Sequence, residues 1–173
     1  MISREEALQI LKDEGCAENV ILHCITVADA ALEIAQRNIE NSRDVDLRLV
    51  EIGGLLHDLG RAKTHGIDHA VVGVELAKKH GVEKPVLEII KKHIGAGITN
   101  EEAAYFGLPE DDYFPRTREE KIVAHADNMV KGSKVITLKK RKKLLKENGA
   151  DDEIIERVNT LAREVDPEMK GNK

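Results

Sequence analysis

His57 and Asp58 are neighbours in the run Glu51-Ile-Gly-Gly-Leu-Leu-His-Asp-Leu-Gly60. An imidazole beside a carboxylate can ligate a cation or handle a proton, and here the pair interrupts an apolar stretch. Both groups are costly to bury without partners. Other residues of the same chemistry fall on apolar helical faces. His23 lies among Val20, Cys24 and Val27, His69 shares a face with Val72, Gly73 and Leu76, and His93 shares one with Val86, Ile89 and Ile90. Asp127 closes the run Lys121-Ile-Val-Ala-His-Ala-Asp127. Inward-facing imidazoles and carboxylates from separate helices call for a shared partner, and a divalent metal is the simplest one. His23, His57, Asp58 and Asp127 would leave positions open on a six-coordinate ion for water and substrate. His57 and Asp58 sit roughly 100° apart around a helix, yet both can reach an ion beside its last turn. Taken alone, His23 reads more readily as a core histidine bonded to a backbone carbonyl, and a lone His-Asp pair arises by chance. The combination carries the signal.

The elements that position these residues are read as helices, with no convincing strand pattern, which predicts an all-α helical bundle. Ser3-x-x-Glu6 is a capping box for a first helix ended by Gly15. A long helix is expected over about 17–39, and a third from near Asp46 to His57-Asp58, with Gly60 as its stop. Asp68 is the expected N-cap of a helix from His69 to His80, and Pro85 suits the first turn of the next, which runs to about Ile94. Gly95-Ala-Gly97 breaks it. Thr117-x-x-Glu120 caps the helix bearing Asp127. Helices over about 135–148 and 151–165 follow, and the tail after Pro167 is expected to fray. The whole chain, 1–173, reads as one domain, with a motif-bearing core of about 17–131 and a helical extension of about 135–165.

In order and local context these motifs resemble the HD-domain superfamily of metal-dependent phosphohydrolases. The matches run from about Ile21 to Val130: His23-x-x-x-Val27-Ala28, Gly54-Leu-Leu-His-Asp-Leu-Gly60, His69-Ala-Val-Val-Gly73, Ile89-Ile-Lys-Lys-His93 and Lys121-Ile-Val-Ala-His-Ala-Asp127. The resemblance implies a helical bundle with His23, His57, Asp58 and Asp127 on a first metal. In two-metal branches Asp58 is shared with a second ion, for which His69 and His93 match the extra histidines. His65 is a weaker competitor for His69. Iron or manganese is expected, with Mg, Co, Ni or Zn as alternatives. The short two-metal form is most similar to dinucleoside-polyphosphate hydrolases. The implied reaction is hydrolysis of a phosphate ester or anhydride on a nucleotide-like small molecule, with Asp58 at its centre.

One position departs from the family. Arg61 stands where the common motif has Lys, so a bidentate cation replaces a point charge for orienting phosphate. Lys63 is a second candidate, or simply a solvated loop cation. No GYP-type segment follows His93, so similarity to cyclic-di-GMP-degrading members is weak. His80 is expected to cap its helix and His125 to be structural.

All four aromatic residues (Tyr105, Phe106, Tyr113 and Phe114) fall in one segment between the His93 and Asp127 helices. Tyr113 and Phe114 are candidates for stacking a base under a lid, and packing of the loop onto the bundle is the alternative. The net charge of −5 argues against bulk coating of nucleic acid. The basic stretch from Lys131 to Lys146 reads as a solvated helix surface, with an RNA or polyphosphate patch as the minority reading. No apolar run reaches membrane-span length, and no basic-then-apolar leader is visible, so a cytoplasmic location is expected. Cys16 and Cys24 fit reduced thiols. The expected partner is a phosphorylated small molecule, and homodimer formation is left open. Against the enzyme stand a non-catalytic nucleotide sensor with the same fold and, less favoured, an RNA-binding module.

Overall fold

The structure, a computed structural model, describes residues 1–166. The expected frayed tail lies outside them. The chain folds as helices α1 (Arg4–Asp13), α2 (Glu18–Glu40) and α3 (Leu47–Leu56), a short 3₁₀ turn (Leu59–Ala62), then α4 (His69–Lys79), α5 (Lys84–Lys92), α6 (Asn100–Tyr105) and α7 (Arg118–Asn128). A two-stranded antiparallel hairpin, β1 (Val130–Lys131) and β2 (Lys134–Val135), leads to α8 (Leu138–Glu147) and α9 (Asp152–Val165). The all-α class holds. The hairpin is an addition, with strands too short for an alternating pattern to register.

The central element is α2, roughly 35 Å long at 1.5 Å per residue. Its first half packs Val20, Cys24 and Ala28 against Leu11 of α1, Leu55 and Leu56 of α3 and Ile90 of α5. A second buried face, through Val27, Ala31 and Ile34, packs against Ile122, Val123 and Ala126 of α7 and Val165 of α9. Each fully buried Leu or Ile of this aliphatic core contributes about 1.5–3 kcal/mol. Cys16 and Cys24 are buried free thiols, and burial raises both thiol pKa values, that of Cys16 to about 11.

Helix starts follow the sequence closely. Ser3, Thr117 and Asp151 accept hydrogen bonds from the first turns of α1, α7 and α9. Asp68 differs: its backbone is already helical, and its carboxylate accepts the Thr64 hydroxyl at 2.9 Å instead of a helix N–H. Gly60 does not stop α3. It lies inside the 3₁₀ turn, and a Cβ there would collide with the His69 carbonyl oxygen. A Cβ on Gly54 would likewise lie 2.8 Å from the Ala28 Cα. These two glycines let α3 and the 3₁₀ turn approach α2 and α4 closely enough to bring four histidines together. α8 starts at Leu138, later than expected, because Lys134 and Val135 pair in the hairpin and Thr137 caps the helix.

Candidate metal centre

α2 presents His23. The C-cap of α3 presents His57, with Asp58 just beyond it. The first residue of α4 is His69, the C-cap of α5 is His93, and the last turn of α7 carries Asp127. Five of these six positions are at or beside helix ends, where the chain turns and side chains from several helices can converge. A buried ion pair between Lys92 and Glu120, Nζ to Oε2 at 3.4 Å, fixes the end of α5 against the start of α7.

Each of the four histidines is oriented the same way. Nδ1 of His57 meets the Gly54 carbonyl at 2.7 Å, that of His69 meets Gly66 at 2.7 Å, and that of His93 meets Ile90 at 2.8 Å. Nδ1 of His23 meets the Gly132 carbonyl, in the hairpin turn, at 2.8 Å. A carbonyl only accepts, so each Nδ1 carries a proton and each Nε2, a lone pair whenever the ring is neutral, turns inward. This is the arrangement metal-ligating histidines adopt.

The inward nitrogens converge on two carboxylates. Asp58 Oδ2 lies 3.8 Å from Nε2 of both His23 and His57. Its Oδ1 lies 3.1 Å from His69 Nε2 and 3.5 Å from His93 Nε2. Asp127 Oδ1 lies 3.0 Å from His23 Nε2 and 3.6 Å from His57 Nε2. His57 Nε2 is fully buried, with no hydrogen-bond partner among the described residues. Three overlapping donor sets, His23-His57-Asp58, Asp58-His69-His93 and His57-His93-Asp127, each fall within 4.8 Å. Neutral imidazole and carboxylate together suit a divalent first-row ion.

The electrostatics match a site built for positive charge. Burial would raise the Asp58 pKa, but the His57 charge and hydrogen bonds from His69 and His93 outweigh it and hold the carboxyl well below its usual range. Asp127 is lowered too, because His23 and His57 overcome its burial. Burial would depress His57, yet Asp58 and Asp127 raise it to about 9. His93 goes down, driven first by burial and then by the charges of His57 and His69. In the metal-free chain the two carboxylates hold a proton on His57, where an ion would replace it.

The cations divide. Arg61 Nε donates to both oxygens of Asp58 at 3.2 Å, and Nη1 donates to the His65 carbonyl at 3.0 Å, leaving Nη2 without a partner among the described residues. Lys63 points elsewhere: Nζ meets the Glu14 carbonyl at 2.9 Å and its carboxylate at 3.2 Å, and His80 Nε2 meets the same carboxylate at 2.8 Å. The His65 side chain is exposed. His125 is fully buried, with Nε2 3.8 Å from Asp166 Oδ2.

The aromatic residues also separate. Tyr113 is 2 % exposed, packs with Ile98, Ala103 and Leu108, and donates its hydroxyl to the Pro109 carbonyl at 2.9 Å. Phe114 packs over Gly97, with the Arg116 guanidinium 5.5 Å from its ring centre. Tyr105 and Phe106 are exposed. Sequence reading missed the Gly54, Gly66, Ile90 and Gly132 carbonyls that orient the histidines. The first three lie three residues before their histidine, a spacing the sequence does display. The fourth arrives through the unforeseen hairpin.

A helical bundle whose helix ends converge a His/Asp donor cluster defines a class of metal-site proteins. The chain belongs to the HD domain family, matching it over residues 20–131. It is 46 % identical over 167 residues to an uncharacterized protein of Methanocaldococcus jannaschii, covering 96 % of this chain and 98 % of the relative. It is 47 % identical over 135 residues to a tRNA (cytidine(56)-2'-O)-methyltransferase of Picrophilus torridus, covering 78 % of this chain but only 38 % of that protein. In structure it is similar to the HD domain of the L. monocytogenes phosphodiesterase PgpH, solved in complex with cyclic-di-AMP. That likeness has a TM-score of 0.54 at 18 % identity, covering 90 % of this chain and 92 % of the other. Among the described residues no helix is long and apolar enough to cross a membrane.

Proposed function

We propose that this protein is a metal-dependent phosphohydrolase acting on a nucleotide-like phosphate ester or anhydride. One observation carries the reading: four histidines, each held by a backbone carbonyl at Nδ1, turn Nε2 toward the two oxygens of Asp58. His23, His57, Asp58 and Asp127 would hold a first divalent ion, and His69 and His93 a second one shared through Asp58. Iron or manganese suits this donor set, as do other divalent ions. Bound there, such an ion supplies Lewis acidity toward phosphoryl oxygen and lowers the pKa of water.

The chain's own groups do the rest. Arg61, held by Asp58 and the His65 carbonyl, offers Nη2 to a phosphate oxygen in a fixed orientation. Lys63 Nζ is held by Glu14, which leaves Arg61 as the favoured phosphate partner. Phe114, half-buried beside Arg116, is the aromatic face that could meet a base, whereas Tyr113 supports that segment from beneath. The phosphodiesterase name and bound dinucleotide of the L. monocytogenes neighbour favour a nucleotide phosphodiester within the class.

The test is turnover of a panel of nucleotides, cyclic dinucleotides and dinucleoside polyphosphates with Mn²⁺ or Fe²⁺, using wild type and Asp58→Asn. Hydrolysis by the wild type that Asp58→Asn abolishes supports the reading. Binding of a nucleotide without turnover under every metal would replace it with a sensor.

A further inference from the structure

Residues 131–146 contain eight Lys or Arg and no Asp or Glu, in a chain whose net charge is −5. The structure places this segment at the metal centre's edge. The hairpin turn accepts the His23 Nδ1 proton on the Gly132 carbonyl at 2.8 Å, with exposed Lys131 and Lys134 on either side. α8 follows directly. Arg141 Nε donates to Asn128 Oδ1 at 3.1 Å, and Asn128 neighbours Asp127. The start and the middle of the basic segment are thus tied to residues in, or next to, the donor cluster.

Lys139, Lys140, Lys143 and Lys146 are exposed along α8. Among the described residues Lys143 makes one long ion pair, 3.7 Å to Glu147, and the other three make none. Lysines three and four apart on a helix repel one another, and a bound polyanion offsets that cost. The opposite face is spent on packing, with Leu138 and Leu145 against Val158 and Ala162 of α9. α8 therefore has no free apolar stripe to lay into a bilayer. The helix extends about 15 Å, more than one phosphate group occupies, so its complement is a chain of phosphates.

We infer that the hairpin and α8 form a track for a single-stranded polynucleotide, whose phosphodiester backbone follows the lysines to the His/Asp cluster. This rests on the phosphohydrolase reading and narrows its substrate to a polymer. RNA and DNA share the recognised chemistry.

The test uses full-length, metal-loaded protein and a variant, K139Q/K140Q/K143Q/K146Q, whose changes avoid the metal and phosphate positions and keep helix propensity. Fluorescence anisotropy with short single-stranded RNA and DNA is followed over a salt series, beside hydrolysis of bis-(p-nitrophenyl) phosphate. Wild type should bind an oligonucleotide with a steep salt dependence. The variant should lose about tenfold or more in affinity, its salt slope should shrink by up to about 2.8, and its small-ester turnover should not change. Equal binding of RNA and DNA assigns recognition to the backbone, and preference for RNA adds a 2′-hydroxyl contact. Wild type that binds neither oligonucleotide, or binds polyglutamate or anionic vesicles instead, overturns the track, as does a variant binding like wild type. Oligonucleotide binding that behaves as expected with no ester turnover sinks the phosphohydrolase reading and leaves the track standing.

Discussion

His69 Nε2 and His93 Nε2 face each other at 3.0 Å while their Nδ1 atoms donate to the Gly66 and Ile90 carbonyls. With both Nδ1 protons committed, two lone pairs point at one another. A proton can relieve that repulsion between them, and so can a cation. Asp58 Oδ1, 3.1 Å from His69 Nε2, supplies the negative charge that holds either.

Two ions per chain are therefore expected from metal-replete protein. His93→Ala should retain one ion and lose the other, with turnover down at least about 100-fold, as expected when one member of a paired-metal clamp is removed. Elemental analysis after gel filtration checks this. A wild-type stoichiometry that never exceeds one removes the second site.

Metal-free protein should respond to pH in a defined sense. His57 is raised from its ordinary value of 6.5 to about 9, so its contribution is complete below 6.5 and disappears as pH rises through about 9. Asp58 and Asp127, both lowered, stabilise the fold above the ordinary carboxylate range and lose that contribution only in strong acid. Chelator-treated protein should thus become easier to unfold in urea between pH 6.5 and 9. Metal-loaded protein should not follow it, because binding displaces protons and tightens as pH rises. Parallel weakening of both forms over this window would refute the link between the proton and the ion.

The aromatic segment makes a separable prediction. Tyr113 is buried with its hydroxyl satisfied, so Tyr113→Ala should cost about 3–5 kcal/mol of stability. Tyr105, 85 % exposed, should cost less than about 0.5 kcal/mol when truncated. If Phe114 meets a base, Phe114→Ala should raise KM for a nucleotide by about 1–3 kcal/mol equivalent while p-nitrophenyl phosphate turnover stays constant. An unchanged ratio of kcat/KM values for the two substrates assigns Phe114 to packing alone.

These expectations show how legibility divides. The inward faces of His23, His69 and His93 were readable because each interrupts an apolar stripe of helical period. That Asp58 faces both the His23–His57 and the His69–His93 pairs was suggested only by family context, since no periodicity says which carboxylate two helices will meet. The hairpin was not readable, because two-residue strands leave no alternating pattern, yet it supplies the carbonyl that orients His23. Lys63 illustrates another limit. Its place beside the His-Asp motif says nothing of Glu14, which is distant in sequence and binds its Nζ.

Gly60 tests whether backbone approach, and not only the donor atoms, builds the second half of the site. A Cβ there would strike the His69 carbonyl and lie 2.7 Å from the Gly73 nitrogen, and neither backbone atom can swing aside. Gly60→Ala should therefore push the start of α4 away from the 3₁₀ turn, at about 1–3 kcal/mol or more. His69 leads that helix, so its Nε2 should withdraw from Asp58 and the second ion should be held more weakly than the first. Gly81, just past the far end of α4, is the control. It has φ of +70° and open space where a Cβ would go. Gly81→Ala should cost about 1–2 kcal/mol through backbone strain alone and leave metal stoichiometry intact. Thermal melts paired with elemental analysis separate the two variants. If Gly60→Ala loses stability only as Gly81→Ala does and keeps both ions, close packing at Gly60 does not position His69.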